Sequence, residues 1–228
     1  MKRNVSLAEI SDGRLYRGSD MVRADCHGCR GCYKCCTKMG YSVILDPCDI
    51  YRLQEGPGKG LSQLLEEEAA ELHVVDGIIL PNLKMKGRQE RCAFLNQEGR
   101  CSIHASRPGI CRLFPLGRYY ENGDFRYFLQ VNECPVQGRT KVRVSKWIDT
   151  PDQDKNHVFL CRWHGLLNDL EEAVAGREDS EEAKRLNLAL LQVFFMKPYE
   201  TDRDFYGQFE ERVGIFADMG YGRLAGEI

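Results

Sequence analysis

A run of closely spaced cysteines constrains this 228-residue chain more than any other feature of its sequence. Residues 26–36 read CHGCRGCYKCC, with a cysteine at every third position and Cys36 directly after the last of them. A Cys-x2-Cys segment folds into a tight turn that places two sulfurs on one side, close enough to share a metal ion. Glycine supplies the positive φ that such turns need, and Gly28 and Gly31 lie inside two of the three intervals. The run therefore predicts an irregular metal-binding segment.

The number of cysteines bears on the redox compartment. The chain has 11, an odd number, so they cannot all pair with one another in disulfides. Lys2 and Arg3 near the start are followed by polar residues and not by an apolar stretch, so we expect no secretory signal peptide. In a reducing cytoplasm, clustered thiols serve metal or redox chemistry and not disulfides. The sequence thus predicts a cytoplasmic protein.

Composition and charge restrict the classes of partner. With 43% hydrophobic residues and a net charge of −2, the chain is expected to fold around a core and lacks the basic signature of a nucleic-acid binder. Its apolar runs are much shorter than the roughly 18 residues of a membrane span. No nucleophile–base pair, paired-carboxylate motif or nucleotide loop can be identified, so no enzymatic reaction is predicted. We expect the chain to bind a metal ion or cluster, with a partner protein as a further candidate for binding.

A second, dispersed group of cysteines lies further along the chain. Cys92 and Cys101 flank a predicted turn at residues 96–100, so an antiparallel hairpin would bring them together. Cys111 follows an Arg-Pro-Gly reversal that can carry its sulfur back to this hairpin. Cys134 precedes a proline, as the remote ligand does in bacterial ferredoxins. The candidate metal ligands are Cys29, Cys32, Cys35, Cys36, Cys92, Cys101, Cys111 and Cys134.

Eight thiolates suffice for two four-ligand sites, or for one site with spare cysteines. Adjacent side chains are expected to point apart, so Cys35 and Cys36 should not both reach one ion. Either one of the two binds and the other packs, or the pair serves two sites.

The cysteine pattern resembles that of a known family. The run from Cys29 to Cys36 is similar to the signature of the CxxCxxCC (YkgJ-type) cysteine-cluster proteins, and the second block agrees with it. The resemblance covers roughly residues 26–135 and implies a zinc- or iron-chelating module. A similar module occurs in bacterial flagellin lysine N-methylases, for which an iron–sulfur cluster is implied. A methylase reaction rests on that analogy alone. The matching segments are residues 29–36, 92–95, 99–104 and 107–115.

The donor atoms bear on the choice between iron–sulfur and zinc. Structural zinc sites often combine cysteine with histidine, whereas iron–sulfur clusters are usually held by thiolates alone. The motif blocks contain many cysteines and only His27 and His104. This favours an iron–sulfur cluster, with 4Fe-4S as the expected type, for electron transfer or in support of a protein-modification reaction. The alternatives are a zinc-stabilised interaction module without catalysis, and redox-active or metal-buffering thiols.

The remaining patterns predict an α+β fold. We expect a cysteine-cluster metal-binding domain with short hairpins over residues 1–150 and a helical region over residues 151–228. A helix should begin at Pro47 with Asp46 as its cap, another should cover about residues 61–72, and Asn-Gly at 122–123 predicts a hairpin between aromatic strands. Thr150 is the predicted cap of the first helix of the C-terminal region.

Two weaker signals lie outside the motif blocks. His157, Cys161 and His164 fall on one face of a predicted helix, either as a metal-binding face or, as we favour, flanking its apolar stripe. Cys48 lies in the first turn of a predicted helix, where the dipole would lower a thiol pKa. Because Cys48 is outside both blocks, its replacement by Ser is expected to be nearly neutral.

Overall fold

The computed structural model describes residues 6–26 and 32–222 and has an α+β fold, as predicted. Short antiparallel strand pairs and small helices form the cysteine-bearing part, and helices alone follow it. The strands are β1 (Met21–Asp25), β2 (Ala70–Val75), β3 (Ile78–Leu83), β4 (Met85–Lys86), β5 (Arg91–Cys92), β6 (Leu116–Glu121), β7 (Asp124–Leu129) and β8 (Thr140–Arg143). The α-helices are α1 (Leu7–Ile10), α2 (Pro47–Glu55), α3 (Leu61–Glu66), α4 (Gly109–Leu113), α5 (Val144–Ile148), α6 (Gln153–Val174), α7 (Glu181–Leu191) and α8 (Phe205–Phe216).

The strands form separate antiparallel pairs, which are β1 with β8, β2 with β3, β4 with β5 and β6 with β7. The hairpin of β6 and β7 confirms the prediction from its Asn-Gly dipeptide. Asn122 and Gly123 both have positive φ, 53° and 76°, which is the turn geometry that matches the twist of two paired strands. The hairpin therefore ends in a tight turn, with Asp124 as the first residue after it.

The start of α2 also confirms its prediction. The Asp46 side chain accepts a hydrogen bond from the Asp49 N–H, and the Asp49 side chain accepts one from the Asp46 N–H, so the two residues form a reciprocal cap ahead of Pro47. Both carboxylates are thereby fixed at the N-terminal end of α2.

Two predicted helix boundaries were wrong. The helix expected to extend to residue 72 ends at Glu66, because Glu68 has a φ of 54° and residues 70–75 pair with β3 as strand β2. Thr150 does not cap α6. That helix begins at Gln153, whose side-chain amide donates to the Ser145 carbonyl and so does not close a capping box with Thr150. In both places, contacts outside the predicted helix outweigh the helical signal.

One large hydrophobic core joins the cysteine-bearing part to the helical part. It includes Leu45 and Ile50 near and within α2, Leu83 of β3, and Phe194 and Phe209 of the C-terminal helices. A smaller core lies between β1, β8, α5 and the start of β6. The proposed boundary at residue 150 stays a prediction.

The longest helix, α6, has 22 residues and packs one face on the main core. Phe159, Trp163, Leu166 and Leu170 form the buried stripe. Over residues 6–26 and 32–222, no helix combines the length and the apolar character needed to cross a membrane.

Candidate metal centre

The end of the first cysteine run forms a single 3-10 turn, Lys34–Cys36. The Sγ atoms of Cys35 and Cys36 lie 4.0 Å apart, so the expectation that these side chains diverge was wrong. Two thiolates on one zinc ion, each bound at about 2.3 Å, would be about 3.8 Å apart. Cys32 is half-buried just before the turn, and Cys29 lies outside the described residues.

Backbone pairing brings this turn to the second cysteine block. Thr37 forms an antiparallel bridge with Arg91, and the Lys38 N–H donates to the Glu90 carbonyl over 2.8 Å. Cys92, the last residue of β5, directly follows Arg91. The two motif blocks, separated by more than 50 residues of sequence, are therefore neighbours in the fold.

Cys101 reaches the same place through the predicted turn at residues 96–100. Leu95 pairs with Cys101, and the Asn96 side-chain oxygen accepts hydrogen bonds from the Glu98 and Arg100 N–H groups. Gly99 has a φ of 72°, in the region that favours glycine. The turn is thus confirmed, with Cys92 and Cys101 on its two sides.

Cys111 completes the group from helix α4. Part of the residue reaches the surface, but its thiol is enclosed, and burial raises its pKa well above the usual value. The nearby charges of Cys92, Cys35 and Cys101 raise it further. Burial also raises the pKa values of Cys92 and Cys101. The charges of Cys101 and Cys35 add to the effect at Cys92, and the charge of Cys35 adds to it at Cys101. We call Cys35, Cys92, Cys101 and Cys111 the cysteine centre.

Several donors favour the thiolate forms that a metal ligand requires. The Phe94 N–H donates to Cys92, and the Ile103 N–H to Cys101, each lowering the pKa of its thiol against the effect of burial. The charge of Arg107 lowers the pKa of Cys101 and also that of Cys35. The contact of Cys35 with Cys36, and its burial, act in the opposite direction and raise the pKa of Cys35. A buried group of thiols with such donors fits a bound cation that holds them as thiolates.

A buried carboxylate anchors the helix that carries Cys111. Asp49 Oδ1 accepts the Gly109 N–H over 2.7 Å, and its Oδ2 accepts the Asp46 N–H. Burial, with the charge of Asp49, raises the pKa of Asp46 to about 7, while Arg52 opposes the shift. The cap of α2, which the sequence predicts, thus also positions α4, a contact that no local pattern indicates.

One comparison with known proteins gave a match to this part of the chain. Residues 28–135, just under half of the chain, match the CxxCxxCC family model, described as "Putative zinc- or iron-chelating domain". We refer to residues 28–135 as the CxxCxxCC domain after this match. The match confirms the resemblance in the sequence and supports a metal-binding role for the domain. Neither the curated proteins nor the solved structures gave a match to the chain.

The other cysteines of the CxxCxxCC domain and its flanks differ in their surroundings. Cys134 is half-buried between β7 and β8, and Cys26 is buried at the end of β1. Cys48 is buried in the main core, where desolvation raises its thiol pKa. The expected lowering by the helix dipole was wrong, because burial has the larger effect. A nearly neutral Cys48→Ser substitution is no longer expected, since a hydroxyl would be buried in an apolar core.

A different trio forms the closest group of potential metal ligands in residues 6–26 and 32–222. The ligand atoms of Asp124, His157 and Cys161 lie within 4.8 Å of one another, a spacing that no three sulfurs of the cysteine centre reach. His164, expected on the same face, stacks on the Tyr120 ring instead, 3.7 Å between centroids. Asp124 was not predicted, because its position depends on how the β6–β7 hairpin packs on α6.

Proposed function

We propose that the CxxCxxCC domain holds an iron–sulfur cluster, of the 4Fe-4S type, through its cysteines. The observation that supports this proposal is that the backbone bridges Thr37–Arg91 and Leu95–Cys101 bring together the segments that carry Cys35, Cys92 and Cys101. The charges of these thiols also raise the pKa of Cys111. Each lies at a motif position of the family match. The full set of proposed ligands is Cys29, Cys32, Cys35, Cys36, Cys92, Cys101, Cys111 and Cys134, from which the cluster takes four.

The donor chemistry favours iron–sulfur over a mixed zinc site. The cysteine centre contains sulfur donors only, as iron–sulfur clusters usually require. His104, the described histidine of the motif block, has its Nε2 3.2 Å from a guanidinium nitrogen of Arg107. Burial, together with this arginine, lowers the pKa of His104. The imidazole is therefore engaged in a contact of its own.

The cellular role we propose is electron transfer, or support of a modification reaction on a partner protein, in the cytoplasm. When bound, the cluster would supply one-electron redox chemistry. The chain's cysteines would bind it, and the Phe94 and Ile103 N–H groups would favour the thiolate forms of Cys92 and Cys101 against the effect of burial. Nine of the described cysteines, counted without Cys26, are free thiols, which suits a reducing compartment.

Anaerobic purification with elemental analysis tests the proposal. We expect iron and sulfide in stoichiometric amounts and a broad absorption near roughly 400 nm from sulfide-to-iron charge transfer. Substitution of Cys92 or Cys101 by Ser should abolish both, whereas Cys48→Ala should leave them unchanged. A colourless protein that carries stoichiometric zinc would disprove the iron–sulfur proposal.

One observation favours the alternative, a zinc-stabilised interaction module without catalysis. The 4.0 Å between the Cys35 and Cys36 sulfurs is close to the separation of about 3.8 Å between two thiolates on one zinc ion. In that case a strong chelator should unfold the domain, because the binding free energy of a structural metal is also folding free energy. A melting curve that a chelator leaves unchanged, with no zinc bound, would exclude this alternative.

A further inference from the structure

Three metal-ligating side chains meet where the β6–β7 hairpin packs on helix α6. His157 and Cys161 are four residues apart on α6 and so lie on the same face of the helix. Asp124 follows the hairpin turn, and its Oδ1 lies 2.7 Å from Nε2 of His157 and 4.0 Å from Sγ of Cys161. Asp124 is inside residues 28–135 and the other two are outside, and no sulfur of the cysteine centre belongs to this group.

We propose that Asp124, His157 and Cys161 form a second metal site, specific for a divalent cation of the zinc class. Zinc binds carboxylate oxygen, imidazole nitrogen and thiolate sulfur, and three protein ligands leave its fourth position open to water. One carboxylate and one thiolate balance the charge of the ion. Binding through Nε2 leaves the imidazole proton on Nδ1, and the Cys161 thiol proton is released to solvent.

The distances require only a small adjustment. Ligand atoms placed tetrahedrally at about 2.0 to 2.3 Å from zinc are separated by about 3.3 to 3.8 Å. The two observed separations from Asp124 Oδ1, 2.7 Å to His157 and 4.0 Å to Cys161, lie on either side of this range. Rotation of the Asp124 carboxylate away from His157 and toward Cys161 brings both distances closer to the tetrahedral range. Asp124 and His157 are partly open to solvent, with 68% and 43% of their side chains exposed, so a cation and its water have access.

The surrounding contacts hold the three side chains in place before any ion binds. Asp124 Oδ1 also accepts the Phe125 N–H over 2.7 Å, and the Phe125 ring stacks on the His157 ring at 4.4 Å. One turn beyond Cys161, His164 stacks on Tyr120 of the same hairpin. The hairpin is therefore fixed to α6 on both sides of Cys161, which reduces the entropy lost on binding.

An ordinary surface ion pair between Asp124 and His157 is the competing explanation. Such a pair contributes little to stability and needs no thiol. The two explanations therefore differ in what they require of Cys161, which is essential for a metal site and dispensable for an ion pair. Arg118 stands over the Phe125 ring at 5.6 Å, and the charge of Arg126 also reaches Asp124, so a bound ion must tolerate both cations.

The test compares zinc and cobalt binding by the full chain and by single variants. The protein is purified anaerobically, its iron content is determined, and bound Zn²⁺ is counted by equilibrium dialysis. Titration with Co²⁺ then gives the thiolate-to-cobalt absorption of each variant. The variants are His157→Gln, Cys161→Ala and Asp124→Asn, with His164→Gln as the matched control on the same helix.

We expect the wild-type chain and His164→Gln to bind about one more equivalent of Zn²⁺ than His157→Gln and Cys161→Ala do. Asp124→Asn should weaken this binding by more than about tenfold. Equal zinc content in wild type, His157→Gln and Cys161→Ala would overturn the proposal, and so would an equal loss in His164→Gln. Because iron is counted separately, failure of the cluster proposal leaves this comparison intact, and the reverse also holds.

Discussion

The cysteine-bearing region and the helical C-terminal region share a core but are built differently. Around the cysteine centre, β4 and β5 have two residues each, the 3-10 turn three and α4 five. The C-terminal region contains α6, α7 and α8, with 22, 11 and 12 residues. Short elements make few backbone hydrogen bonds for the residues they order, so the first region depends on other contacts.

The contacts that hold each region differ in kind. Phe194, Phe209 and Phe216 are almost fully buried, and Trp163 packs on Phe194 with 5.4 Å between ring centroids. Near the cysteine centre, the comparable interior positions are thiols and the buried Asp49 carboxylate. An aromatic core stabilises by burial alone, whereas buried thiols with raised pKa values gain most from a metal. The comparison teaches that the folding of the cysteine-bearing region should depend on metal more strongly than that of the helical region.

Metal removal gives the largest expected effect. Binding of a structural metal contributes on the order of 10 kcal/mol to folding, and here it would act on the cysteine centre. Hydrogen exchange of metal-free protein should therefore rise in residues 32–37 and 91–113, relative to metal-loaded protein. Residues of α6 to α8 should keep their slow exchange. An equal rise in α8 would contradict the comparison.

Substitution of Cys111 by Ser should reproduce most of that effect in a single variant. The substitution removes one ligand from the interior of the cysteine centre, so we expect loss of metal together with a large fall in the free energy of unfolding. Elemental analysis and urea denaturation measure the two quantities. Cys48→Ala is the matched control, because Cys48 is also buried but belongs to the apolar core. It should cost about 1 to 3 kcal/mol and keep its metal.

The substitution Phe209→Ala tests the helical region in the same way. Phe209 is 1% exposed and packs against Phe159 and Phe194, so its truncation should lower the free energy of unfolding by about 3 to 5 kcal/mol. Metal content per folded molecule should stay unchanged. Val158→Ala, at an exposed position of α6, should change stability by less than about 0.5 kcal/mol. Loss of metal in Phe209→Ala would show that the two regions are coupled.

A smaller effect is expected at Asp49, whose carboxylate joins the start of α2 to the start of α4. Asp49→Ala leaves the Gly109 and Asp46 N–H groups without their acceptor and should cost about 2 kcal/mol. Asp49→Asn keeps an oxygen for Gly109 and should cost less. Equal losses in the two variants, measured by denaturation, would argue against the role of this contact in positioning α4.

The pH dependence of stability should report on the same pair. In the folded chain, burial, with the Asp49 charge, raises the pKa of Asp46 to about 7, whereas an unfolded Asp titrates near 3.9. Between these values the folded state binds more protons, so this group's contribution to stability falls from about pH 4 to about pH 7 and levels off above. Denaturation curves over that range should show that the free energy of unfolding falls less steeply with pH in Asp49→Ala, because the second carboxylate is gone.

Local sequence signals determined a good part of this protein. The capping residues ahead of Pro47, the Asn-Gly turn at 122–123 and the turn at 96–100 all have the predicted form. The cysteine spacing also predicted the family model that residues 28–135 match. These features depend on residues within a few positions of one another, so neighbouring backbone and side-chain preferences suffice to specify them.

Only the tertiary structure decided the rest. The end of α3 depends on the pairing of β2 with β3. Gly109 is anchored by the carboxylate of Asp49, 60 residues earlier in the chain. The contact of Asp124 with His157 depends on the packing of the β6–β7 hairpin against α6. The approach of the Cys35 and Cys36 sulfurs likewise departs from local expectation. The contacts of Asp49 and Asp124 join distant segments, and the free energy of packing the whole core selects them, because no local preference distinguishes one distant partner from another.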